Sequence, residues 1–252
     1  MPLNRMQFMN SYIDNITMDE AINHIEECIQ LRKIGQVITP NVDQIVRMET
    51  DSYFKEICDN AELLLTDGHP LLWISRLYRR PIKEKICGSD LVPRLCEVAA
   101  QKGYTVFFLG AAPGVAQRAV SKLREKFPSL KVAGVYSPPL GFENDQEEIH
   151  RINQMLLASH ADMLFVGMGV PKQDIFIYEN MNKYQIPMSF SIGGTIDFIA
   201  GEQKRAPKWM REIGMEWFYR FVRQPKRLFK RYFVDDLKVF RLAWKYRTSK
   251  GN

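Results

Sequence analysis

Asp67 is the residue best placed to do chemistry. It lies in Thr66-Asp67-Gly68-His69-Pro70, directly after a short apolar run and before a helical pattern. Two roles fit that position equally. As a helix N-cap, its carboxylate would accept backbone N–H bonds. As a general base, it would stand at the mouth of a cleft and take a proton from a nucleophile. The turns 110–114, 167–169 and 193–194 are glycine-rich, so their backbone N–H groups could approach a phosphate at a helix N-terminus. Ordinary turn chemistry, in which glycine supplies positive φ, explains each turn taken singly. None completes GxGxxG and no GxxxxGK[ST] occurs, which excludes a dinucleotide fingerprint and a P-loop.

Metal chemistry is not expected. His24, His69, His150 and His160 form no HxxH or HxxxH pair, and no DxD triplet is present. His24 and His160 fall on helix surfaces or ends. His69 stands apart because it neighbours Asp67. Without a metal, diphosphate charge would be met by Lys and Arg, whose charge-assisted bonds exceed neutral ones in strength.

The elements that must position these residues follow a simple alternation. Short apolar runs at 36–39, 63–66, 105–109, 132–136, 163–167 and 187–192 are rich in Val, Ile, Leu and Phe without clean alternation, as strands covered on both faces should be. Helical patterns at 90–102, 114–127 and 145–159 separate them, and Thr17-Met-Asp-Glu20 reads as a capping box. The expectation is an α/β fold: a mostly parallel, Rossmann-like sheet with helices on both faces. In such sheets ligands bind at the carboxyl ends of the strands, where the polar and glycine-rich turns fall.

Composition narrows the class. The chain has 252 residues, 46% hydrophobic and 25% charged, an ordinary globular balance. No apolar run approaches the ~20 residues of a spanning helix. The first residues show no apolar core of a secretory signal, and the four cysteines form no CxxC, a pattern of reduced cytosolic thiols. Charge divides the chain into an α/β domain over 1–202 and a basic appendage over 203–252. The first carries 20 basic and 25 acidic residues, a net of −5, and the second 15 and 4, a net of +11. Two amphipathic helices can be drawn around Pro225 in the appendage. One carries Trp209, Ile213, Trp217 and Phe221; the other carries Phe229, Phe233, Leu237, Phe240 and Trp244. An anionic membrane surface suits such helices. Docking on the chain's own domain, or on a second copy in a homo-oligomer, suits them almost as well. Nucleic acid ranks last, because the acidic body would repel phosphates beyond the tail.

Eight blocks in uninterrupted order carry a resemblance: TPNVDQIV (39–46), LLLTDGHPLLW (63–73), GSDLVPRL (88–95), FFLGAAPGVAQRA (107–119), GVYSPPLGF (134–142), FVGMGVPKQDIFI (165–177), IGGTIDFIAGEQKRAPKWM (192–210) and GMEWFYRFVRQPKRLFKRY (214–232). Together they resemble the WecG/TagA/CpsF family of bacterial glycosyltransferases. The resemblance implies transfer of a sugar from a UDP-sugar donor to a polyprenyl-diphosphate-linked sugar acceptor in cell-surface polysaccharide or teichoic acid synthesis. It implies an inverting reaction without metal or other cofactor, by a protein held peripherally at the cytoplasmic face of the membrane. An N-acetylmannosamine-type donor is favoured, although no residue singles out the sugar.

On the matching positions, Asp67 is the implied base. Thr39, Asn41 and Gln173 are implied pocket residues, and Asp197 is implied to lie near the uracil. Gly110, Tyr136, Gly193 and Gly194 fall on the nucleotide side of the site. Arg220, Arg227 and the Lys230–Arg231 pair are implied to close over the diphosphate. Lys85 stands where family members often carry Arg, keeping the charge without the bidentate fork. His69 occupies a variable position from which it could touch the acceptor sugar. The alternative is a nucleotide- or membrane-binding protein that keeps the fold without the chemistry; in it, Asp67 would be only a cap.

Overall fold

The computed structural model describes residues 4–230, 232–233 and 236–247, with the side chain of residue 227 outside the description. The chain opens with an antiparallel hairpin, β1 (Arg5–Phe8) and β2 (Ser11–Asp14), joined through Met9 in the left-handed region at φ 53°. It continues as α1 (Met18–Gln30), β3 (Gly35–Ile38), α2 (Val42–Arg47), α3 (Ser52–Asp59), β4 (Leu63–Leu64), α4 (His69–Leu77), α5 (Gly88–Lys102), β5 (Thr105–Gly110), α6 (Val115–Lys126) and β6 (Lys131–Tyr136). Then come α7 (Gln146–Ser159), β7 (Met163–Gly167), α8 (Lys172–Tyr184), β8 (Met188–Ser191), α9 (Thr195–Ala200) and four C-terminal helices. These are α10 (Lys208–Glu212), α11 (Glu216–Arg223), α12 (Pro225–Lys230) and α13 (Lys238–Arg247).

Six strands form one parallel sheet in the order β4-β3-β8-β7-β5-β6. The central strands β3, β7 and β8 are buried at every residue, which explains their unbroken apolar runs. Phe108, Phe165 and Phe190 on neighbouring strands stand 5.1 Å apart in succession, an aromatic ladder across the sheet. Helices α1, α5, α6 and α9 cover that face. The other face is covered in two patches, one by α2, α3 and α4 with the hairpin, the other by α7 and α8. The expected six-stranded α/β sheet is present.

Local signals act where the sequence placed them. Thr17 and Glu20 form a reciprocal capping box at α1, and Asp145 caps α7 through the Glu147 and Glu148 N–H groups. The hairpin was not anticipated. It is held by a bidentate Arg5–Asp14 pair at 2.9 Å, and Asp14 Oδ2 accepts the Leu64 N–H, tying the hairpin to β4.

The C-terminal region departs from the two drawn helices. Gly214, with φ at +80°, ends α10 and lets the chain turn into α11. The second stretch is interrupted before α13. Val239, Leu242 and Ala243 of α13 are buried in the same cluster as Phe8, Ile45 and Ile74. Tyr78 donates to the Ala243 carbonyl at 2.8 Å, and Tyr246 donates to Glu49. The drawn stripe is the other face: Phe240 is 56% and Trp244 72% exposed. Among the described residues, no helix is long and apolar enough to cross a membrane.

Candidate active site

Two adjacent strand ends create the site. After β3 the chain passes through Thr39 and Pro40 to Asn41, which caps α2 in a reciprocal box with Gln44. After β4 it passes through Thr66 and Asp67, and the Asp67 N–H donates to the Pro40 carbonyl at 2.9 Å, locking the two turns together. The Ile86 N–H donates to the Thr66 carbonyl at 2.9 Å, which lays Lys85 alongside. The N-cap of α4 is Gly68, at φ 111°, with no side-chain capping bond. Asp67 therefore caps nothing, and its carboxylate accepts no hydrogen bond among the described residues. Of the two roles open in the sequence, capping is removed.

The C-terminal segment packs against these turns. Arg205 Nη1 lies 2.7 Å and Arg211 Nη1 3.6 Å from Asp90 Oδ1, fastening the segment to the first turn of α5. Cys87 also donates its S–H to Asp90 Oδ2 at 2.9 Å. At Gly214 a Cβ would come within 2.8 Å of His69 Cγ, so the turn between α10 and α11 rests on the histidine ring. From α11, Glu216 reaches Arg205 at 3.8 Å, and the Arg220 guanidinium sits over the Phe198 ring at 5.7 Å. Asp90 and Arg205 also border a cavity of ≈ 500 Å³ that Asp67 does not line.

This enclosure sets the charges. Burial pushes the Asp67 carboxyl up to about 6; Glu216 and Asp90 push the same way, and Lys85 and Arg220 oppose. Burial alone would lower Lys85, but the groups around it, Asp67, Asp90 and Glu216 among them, hold its ammonium above the ordinary value. Asp90 sits low, at about 2: burial would raise it, and the Arg205 and Cys87 hydrogen bonds more than offset that. His69 is lowered, first by burial and then by Lys85, which favours the neutral ring. A carboxylate near 6 beside fixed cations is equipped to take a proton at neutral pH.

The expected residues divide into groups. Asp67, His69, Lys85 and Arg220 come together, with Thr39 and Asn41 on the adjoining turn. Gln173 is buried, and its Oε1 accepts the Gly193 N–H at 3.0 Å, joining the turns after β7 and β8. That amide was expected to face phosphate and is instead engaged by Gln173. Gly194 follows it, with Asp197 in the first turn of α9. Gly110 is buried, because a Cβ there would lie 2.4 Å from the Gly167 carbonyl oxygen; close packing accounts for this glycine. Tyr136 ends the edge strand β6, five strand spacings or ~24 Å from β4. Its hydroxyl donates to Glu148 at 2.6 Å and its ring carries Arg151, so it stands away from Asp67. The Arg227 side chain and all of Arg231 lie outside the described residues.

Two groupings escaped the sequence. The Asp90–Arg205–Arg211 clasp joins residues 115 and 121 positions apart, with no motif of its own. His24, Cys28 and Glu62, which match none of the ligand spacings sought in the sequence, have their donor atoms within 4.8 Å of one another.

The parallel sheet gathers an acid, Asp67, and the cations Lys85 and Arg220 at the carboxyl ends of its strands, where α/β sheets bind their ligands. The profile of the Glycosyl transferase WecG/TagA/CpsF family matches residues 6–252, and the chain belongs to that family. It is a hexosyltransferase of this type. A relative from Bacillus spizizenii is 29% identical over 227 residues, covering 90% of this chain and 84% of its own length. Another from Bacillus subtilis strain 168 is 31% identical over 214 residues, covering 84% and 81%. Both are described as N-acetylglucosaminyldiphosphoundecaprenol N-acetyl-beta-D-mannosaminyltransferase.

Proposed function

We propose that this chain moves N-acetylmannosamine from its UDP derivative onto N-acetylglucosaminyl-diphospho-undecaprenol, a step in cell-surface polymer synthesis. The descriptions of both relatives support the acceptor and the transferred sugar. The observation that carries the chemistry is the uncapped Asp67 carboxylate, raised to about 6 beside Lys85 and Arg220.

The acceptor hydroxyl oxygen forms a bond to the anomeric carbon while Asp67 takes its proton. The bond from that carbon to the UDP oxygen breaks, and its electron pair leaves with UDP. One displacement inverts the anomeric centre. Lys85 and Arg220, joined by Arg227 and Arg231 of the same segment, meet the diphosphate charge without a metal. Thr39, Asn41 and His69 lie on the acceptor side; Gln173, Gly194 and Asp197 lie on the nucleotide side.

The lipid acceptor brings the protein to an anionic membrane surface from the cytoplasmic side. Trp209, Ile213, Val222 and Phe229 are all more than half exposed and lie on the basic segment. Each Lys or Arg near such a surface contributes ~1 kcal/mol. The test is a panel of UDP-sugars with a short-chain lipid-diphosphate-N-acetylglucosamine acceptor. UDP-N-acetylmannosamine should be turned over best, and a preference for another sugar overturns the substrate assignment.

A further inference from the structure

At the amino-terminal edge of the sheet, opposite the active site, three side chains of different chemistry meet. His24 and Cys28 lie about one turn apart on α1, and Glu62 immediately precedes β4. His24 Nε2 is 2.8 Å from Glu62 Oε1 and 3.5 Å from Cys28 Sγ, and Cys28 Sγ is 3.6 Å from Glu62 Oε1. Tetrahedral zinc with bonds of ~2.0–2.1 Å to nitrogen, ~2.3 Å to sulfur and ~2.0–2.2 Å to oxygen spaces its ligands ~3.3 Å apart for N···O and ~3.5 Å for pairs with sulfur. Both sulfur separations already fit. The N···O pair needs to open by ~0.5 Å, within the reach of a small rotation of the His24 ring.

The surroundings favour a held ion over a chance meeting. Cys28 is 2% exposed, and the His24 and Glu62 side chains are 16% and 13% exposed. A Cβ on Gly35 would lie 2.7 Å from Glu62 Cβ, so glycine at the start of β3 lets Glu62 reach α1. Lys33 Nζ rests 2.8 Å from the same Glu62 oxygen, and its side chain is 54% exposed. Its ammonium meets the carboxylate's charge beside the three donors, and its exposed side chain is free to move into solvent.

We propose that His24, Cys28 and Glu62 form a three-ligand zinc site with water as the fourth ligand, and that the ion displaces Lys33. Nitrogen, thiolate and carboxylate together suit zinc, and the ion would clamp α1 to the start of the sheet. On binding, the Cys28 S–H bond breaks, its proton goes to solvent and the sulfur bonds zinc; nothing is oxidised or reduced. His24 lies against the sulfur, and Arg5 donates to the Glu62 carbonyl, which holds the carboxylate's residue in place.

The test is titration of the full chain with Co²⁺, whose thiolate charge-transfer band reports sulfur ligation. One Co²⁺ per chain should produce the band, and Zn²⁺ should displace it and raise the melting temperature. Cys28→Ser should abolish the band, which separates this thiol from buried Cys58, Cys87 and Cys96. Lys33→Gln, an exposed change that leaves the core alone, should tighten binding about tenfold by removing a like charge from the ion's position. That arm decides the matter even if the Cys28 variant does not fold. The proposal is overturned by absence of the band in the wild-type chain, by its persistence in Cys28→Ser, or by unchanged affinity in Lys33→Gln.

Discussion

Arg205 places its guanidinium 2.7 Å from the Asp90 carboxylate, and through that contact the C-terminal segment is anchored beside Asp67. Arg211 reaches the same oxygen at 3.6 Å, and Glu216 approaches Arg205 from α11. The clasp holds Gly214 on His69 and sets Arg220 toward Asp67. Arg205→Gln should leave the sheet intact and loosen this arrangement. Steady-state kinetics should show kcat/KM reduced more than tenfold, with the melting temperature lowered by only a few degrees. Equal loss of stability and activity would mean that the clasp is only a packing device.

The same clasp carries an acid signature. Asp90 titrates at about 2 in the folded chain against an ordinary 3.8. A carboxylate lowered by folding contributes stability that is complete above its unfolded value and is lost as pH falls toward the folded one. Between about pH 4 and pH 2, the wild type should therefore lose melting temperature faster than Asp90→Asn. Parallel curves over that window would show that the Arg205 pair stabilises nothing.

Asp67 has the opposite sign. Raised to about 6, it is mostly ionised at pH 7 and gains its proton just below. The profile of kcat/KM should fall on the acid side with a midpoint near 6. Glu216→Gln removes a negative neighbour and should move that midpoint downward. A midpoint indifferent to Glu216 would separate the titrating group from Asp67.

Much of the sheet was legible because burial on both faces leaves strands without polar alternation, as in Met163–Gly167. The hairpin was not, since Arg5–Phe8 and Ser11–Asp14 are four residues each and depend on a buried ion pair formed in three dimensions. Asp67 was legible as a base or a cap, and only the structure shows that Gly68, not Asp67, holds the N-cap position of α4. In α13 the conspicuous aromatic stripe drew attention, yet the small residues Val239 and Ala243 are what fit against the hairpin and α2. His24 and Cys28 share one helix face, but Glu62 lies 34 positions beyond Cys28, so only the fold brings it to them.

That packing alters how membrane binding must be tested. Ending the chain near 232 would remove buried Val239, Leu242 and Ala243, and burying each Val or Leu contributes ~1.5–3 kcal/mol. Such a chain should melt lower whatever it does at a membrane. Phe240→Ser with Trp244→Ser changes only exposed residues, so its melting temperature should stay within about a degree. Sedimentation with phosphatidylglycerol vesicles should be strong for the wild type, weaker with neutral lipid, and reduced by salt. If the double variant binds as well as the wild type, contact rests on Trp209, Ile213 and Val222 instead.

Chelation separates the two cation accounts. In the proposed reaction Lys85 and arginines meet the diphosphate, and the proposed zinc lies at the opposite edge of the sheet, so EDTA should leave kcat unchanged well below the melting temperature. A loss restored by Mg²⁺ or Mn²⁺ would place a metal at the leaving group.

The most direct measurement is turnover by Asp67→Asn with UDP-N-acetylmannosamine and a short-chain acceptor. Asparagine keeps the size and polarity but cannot accept the proton, and general-base catalysis contributes ~10²–10⁴-fold. The account predicts kcat reduced by at least ~100-fold, with UDP affinity preserved and melting temperature unchanged or slightly higher. The higher value would follow because the wild-type acid is destabilised in its ionised form. A variant retaining a tenth of the wild-type kcat would contradict the assignment of Asp67 as the base.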